Sequence, residues 1–150
     1  MAIWQFEFMV IPSSNATMDI SSEEILLWKT ELLKDFKESI EKILSLEKNW
    51  SEDIEQCGKI DETCIKFLHE NSRTEVSVRL DLRSLSKQNF EKILSMISEV
   101  KGQILYQEKL YLPDFNQILQ LWRESDAARF CKNPKEYFEE SGDESGRAKR

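Results

Sequence analysis

The chain has 150 residues, of which 40% are hydrophobic and 10% aromatic, and a net charge of −7. A chain of this length most often folds as one domain that buries roughly 68–70% of its unfolded surface, and the apolar content excludes a disordered polymer. The acidic balance argues against nucleic acid and against an anionic membrane face, both of which would repel it.

In chain order, residues 3–11 alternate. Trp4, Phe6, Phe8 and Val10 share one parity and Gln5, Glu7 and Met9 fall on the other, which predicts a strand ended by Pro12. Ser21 with Glu24 has capping-box spacing, and Ile20 with Ile25 has that of a hydrophobic staple. A helix is expected from there, its stripe running through Ile25, Trp28, Leu32, Phe36, Ile40 and Ile43. Residues 47–62 lose periodicity and read as an acidic connection.

Residues 63–69 and 75–83 then read as a hairpin, with Val76, Val78, Leu80 and Leu82 alternating against Ser77, Arg79 and Asp81. Phe90, Ile93, Leu94, Ile97 and Val100 mark a second helix, with Gly102 at its expected stop. Ile104 to Leu112 reads as a fourth strand closed by Pro113. Asp114 with Gln117 caps a third helix through Phe115, Ile118, Leu119 and Trp122, and Pro134 breaks it. The boundaries expected are one α+β domain over 1–138 and a charged, mobile tail over 139–150.

This order is β-α-β-β-α-β with an added C-terminal helix. It predicts a ferredoxin-like fold: a four-stranded antiparallel sheet with two helices on one face and the strands beginning at residues 3 and 75 in its centre. The fold hosts many unrelated functions, so function must come from a site.

Cys57, Cys64 and Cys131 are odd in number and contain no CxxC pair, which points to reduced thiols and a cytoplasmic setting. The first residues lack the basic region of a signal peptide, and no uncharged run reaches the ~20 residues of a membrane span. The cysteines and His69 are zinc-ligand types without zinc-site spacing, so no metal is expected. No glycine pattern suits a nucleotide phosphate, so no cofactor is expected either. Tyr106 and Tyr111, counted along one strand, have opposite parity and make no base-stacking pair.

Two groups of residues stand out. Glu7, Arg79 and Asp81 share a predicted face of neighbouring strands, where they form either an ion-pair cluster or an acid/base pair. Trp50, Asp53 and Glu55 lie in the acidic connection, suited to steering a basic protein surface with an aromatic anchor among the acids. No motif names a reaction. The reading is a small protein-binding module, in the manner of a stoichiometric inhibitor or immunity-type protein for a basic partner. One alternative is a homo-oligomeric ligand-binding or regulatory domain, such as a homodimer; another is a small hydrolase or isomerase using Glu7 and Asp81.

Overall fold

The computed structural model describes residues 4–13, 27–47 and 51–132. Among these, eight strands form an antiparallel sheet: β1 (Gln5–Pro12), β2 (Leu27–Lys29), β3 (Leu46–Glu47), β4 (Ile54–Cys57), β5 (Cys64–Glu70), β6 (Arg73–Asp81), β7 (Gly102–Tyr106) and β8 (Lys109–Tyr111). Four short helices accompany it: α1 (Lys34–Glu41), α2 (Lys87–Glu99), α3 (Phe115–Glu124) and α4 (Asp126–Lys132). The sheet order is β3-β4-β5-β6-β1-β7-β8, with β2 paired to β6 beyond the end of β1.

The long alternating strands set the core. Phe6, Phe8 and Val10 of β1 face the same side as Val76, Val78 and Leu80 of β6, as their register requires: Phe6 opposes Leu80, and Val10 opposes Val76. Ile65 and Phe67 of β5 and Ile104 of β7 extend this surface, and Phe36 and Ile40 of α1, Phe90, Ile93 and Ile97 of α2, and Ile118 of α3 close over it. Phe90 holds α3 through ring contacts with Phe115 at 5.3 Å and Trp122 at 4.9 Å. The third helix therefore packs on the side of α2 and does not cover the opposite face of the sheet.

The α+β content stands, but the ferredoxin-like four-stranded sheet with two long helices does not. Three local events account for the difference. Residues 27–29 are strand, followed by a 3₁₀ turn over Thr30–Leu33, so α1 spans only two turns; Trp28 belongs to the sheet and not to a helical stripe. The acidic connection supplies β3 and β4. The run 104–112 is folded back on itself at Gln107 and Glu108, both with positive φ, giving two strands in place of one. Tyr106 and Tyr111, on separate strands, consequently pack from the same side against the core.

Smaller corrections follow from burial. Trp4 precedes β1 and donates its indole N–H to the Asp61 carbonyl at 2.8 Å, outside the core its parity predicted. The left-handed residue ending α2 is Lys101 (φ 61°), while Gly102 provides room: a Cβ there would lie 2.9 Å from Val10 Cγ1. Asp114 caps α3 as its spacing predicts, accepting the Gln117 N–H at 3.0 Å. The Ser21–Glu24 box, the Ile20–Ile25 staple, Trp50, Pro134 and the 139–150 tail lie outside the described residues.

Candidate functional site

Glu7 and Arg79 are direct cross-strand partners, and the Arg79 Nε–H donates to Glu7 Oε2 at 2.6 Å. Asp81 does not join them. It opposes Gln5 in the register and turns its carboxylate to the residues that follow β6. Oδ1 accepts the Arg83 backbone N–H at 2.9 Å and Nε–H at 3.0 Å, while Oδ2 accepts from Arg83 Nη2 at 3.1 Å and the Ser84 hydroxyl at 3.0 Å. Burial pushes the Asp81 carboxyl up, but the bonds from Arg83 and Ser84 outweigh it and hold the group below its ordinary value. The Arg83 guanidinium also lies 3.9 Å above the Trp4 ring. A carboxylate so saturated closes a turn and is a poor proton donor.

The acidic connection separates its residues more sharply. Asp53 sits exposed on the turn before β4, and its carbonyl accepts the His69 N–H at 2.7 Å. Glu55 points instead beneath α1, because its opposite number in the register is core residue Phe67. There its Oε2 accepts from Lys37 of α1, and its Oε1 lies 2.6 Å from His69 Nε2. His69 Nδ1 is 2.7 Å from the Thr74 hydroxyl, which is 2.7 Å from the Thr30 hydroxyl. Burial pushes the Glu55 carboxyl up; the hydrogen bonds from Lys37 and His69 overcome this and keep it below its usual range.

Carboxylate, imidazole and hydroxyl thus stand in the sequence that activates a nucleophile. Thr74, however, is 0% exposed, so no substrate reaches its oxygen. Two members of this cluster carry a signal in the sequence. His69 shares parity with Ile65 and Phe67, and Thr74 with Val76 and Val78, so both are polar side chains on an inward-facing series. Lys37 and Thr30 gave no such sign.

The thiols do not converge on a metal site, and no group of three potential ligands exists among the described residues. Burial pushes Cys57 up to about 11 and raises Cys64 and Cys131 as well, the opposite of what a nucleophilic thiolate needs. A groove of about 550 Å³ between α1 and α2 is lined by Trp28, Leu32, Phe36, Met96 and Val100 with Asp35 and Glu99; none of the candidate residues named from the sequence reaches it. Glu7 borders a separate hollow of about 360 Å³ with Tyr106, Glu124 and Asp126. No described helix is long and apolar enough to cross a membrane.

Comparison of the chain with protein-family models, with curated proteins and with solved structures gives no match in any of the three.

Proposed function

We propose that the chain is a protein-binding module that offers an acidic surface to a partner of basic character, an inhibitor of the immunity type being the narrower form of the same reading. The observation that carries it is the placement of Glu52 and Asp53 before β4 and of Asp61 and Glu62 beyond it. All four are exposed, and none enters an ion pair among the described residues. Exposed carboxylates bracketing a short strand raise the rate of encounter with a cationic surface and are screened by salt, although Asp61 lies within the field of the Arg83 guanidinium, which donates to its carbonyl at 3.2 Å. Glu55 contributes by position only, since Lys37 and His69 already share its charge.

A second reading, self-association through the sheet face opposite the helices, is favoured by Leu68, which is 42% exposed there beside Ile54. The acid/base reading of Glu7 and Asp81 is weakened by their separate partners, Arg79 and Arg83.

The test is capture from native lysate at low and moderate salt, with the native mass read on the eluate and the Glu52→Lys/Asp53→Lys double variant as control. A stoichiometric basic partner that is lost with salt and lost with the variant supports the module. Recovery of the chain alone as a dimer favours self-association instead; equal capture by the variant excludes the acidic surface as the binding site.

A further inference from the structure

The hydrogen-bond chain from Thr30 to Glu55 has only one self-consistent direction when the imidazole is neutral. Glu55 is kept ionised by Lys37, and a bare Nε2 lone pair 2.6 Å from a carboxylate oxygen would be repulsive, so Nε2 carries the proton and donates. Nδ1 is then an acceptor, and the only donor beside it among the described residues is the Thr74 hydroxyl at 2.7 Å. With its proton committed to His69, Thr74 meets Thr30 as an acceptor at 2.7 Å. Donation therefore runs Thr30 to Thr74 to His69 to Glu55.

Imidazole can hold a proton on each of its two nitrogens. A second proton makes Nδ1 a donor, and Thr74 must then accept from it. Because Thr74 is 0% exposed, its hydroxyl has no water to turn to, and its proton has to swing to Thr30. Thr30 then accepts from Thr74 where it had donated, and its own hydroxyl proton must find another acceptor. His69 itself is 25% exposed, which lets the proton come from solvent.

The groups facing His69 make this a local event with two ends. From α1 come Lys37 and, 3.8 Å from Lys37 Nζ, Glu41; from β4 come Glu55 and, near Lys37, the Cys57 thiol, which burial keeps neutral; from β6 comes Thr74, and from the 3₁₀ turn Thr30. Thr30 also donates its backbone N–H to the Ser72 carbonyl at the β5–β6 turn, at 3.1 Å. Residues 30 and 37 thus bound a segment anchored at both ends to one imidazole cluster. We infer that His69 is a proton-operated latch: its protonation reverses the two hydroxyl bonds running to Thr30 and so alters how the 30–37 segment is held against β4, β5 and β6.

His69 is the chain's one histidine, which makes the test clean. The ring nitrogens of the ¹⁵N-labelled full chain are followed by NMR through an acid titration, together with the backbone amides of Thr30, Lys37, Ser72 and Thr74. The expected result is a neutral form protonated on Nε2 alone, and a shift at Thr30 that shares the midpoint of the ring. In Thr74→Val the ring still titrates but the Thr30 shift is lost; in His69→Gln, which keeps one donor and one acceptor, the shared transition vanishes. A neutral form protonated on Nδ1, or a Thr30 amide that ignores the ring, overturns the latch. Both of those outcomes are read on the unmodified chain, so they decide the matter even if a variant fails to fold.

Discussion

Trp28 donates its indole N–H to the carbonyl oxygen of Val10 at 2.8 Å, just where β1 parts from β6 and β2 takes its place along that strand. The ring is 2% exposed, so the bond lies out of water. Trp28→Phe keeps an aromatic ring in the core but strands the Val10 carbonyl, and is expected to cost about 1–3 kcal/mol. Urea unfolding followed by circular dichroism measures it. A midpoint unchanged from the parent would mean that Val10 finds another donor.

Gly58 adopts φ +85°, and a Cβ there would sit 2.1 Å from the Thr63 carbonyl oxygen. Both the conformation and the space exclude a side chain. Gly58→Ala is therefore expected to destabilise by more than about 1 kcal/mol, disturbing the return from β4 to β5. The same unfolding experiment reads it, and a stabilised variant would contradict the turn geometry.

Asp81 and Glu55 give the molecule a defined acid sensitivity. In both, bonds to neighbouring cations hold the folded carboxyl below its ordinary value, 3.8 for Asp81 and 4.5 for Glu55. The unfolded chain thus takes up protons first as pH falls. Their contribution is fully present above about pH 4.5 and is lost as pH drops through the folded values. Asp81→Asn should lower stability at neutral pH and flatten the decline seen in urea midpoints toward about pH 3. A decline of the same steepness in the variant would remove Asp81 as a source.

Leu80 is 0% exposed in the centre of the core, opposite Phe6. Leu80→Ala should cost about 2–5 kcal/mol, the transfer term plus the cavity. Ser77→Ala, on the opposite parity of the same strand, should stay within about 0.5 kcal/mol. Equal losses at the two positions would show that the strand faces are not distinguished as described.

How far the fold could be read from the residues depends on where the decisive partner lies. The alternation of β1 and β6, the stripe of α2 and the Asp114 cap are local patterns, and each element is present, although β1 and β6 are displaced by one or two residues at their ends, to Gln5–Pro12 and Arg73–Asp81. Trp28 and Leu32 fit a helical stripe equally well by spacing, but Trp28 is fixed by Val10 and by pairing of β2 with β6, contacts that no short window contains. β4 is harder still. Its inward side chains are Glu55 and Cys57, and a carboxylate is tolerated there only because Lys37 and His69 meet it. The Gln107–Glu108 reversal lacks the Gly or Asn that usually announces such a turn. In the candidate site, the Glu7–Arg79 pair followed from strand parity, whereas the Thr30–Thr74–His69–Glu55 chain required four elements to be assembled first.

The central position of β1 also governs how the chain comes to be folded. All its pairing partners lie in β6 and β7, with Glu7 meeting a residue 72 positions later. At synthesis rates of about 5–20 residues per second, Phe6, Phe8 and Val10 emerge on the order of 3–20 s before the strands that will shelter them. The β5–β6 hairpin, closed by two residues at Asn71 and Ser72, can form as soon as it is made. β1, made before both of its partners, thus enters the sheet late, and its aromatic face waits unsheltered on the nascent chain until they arrive.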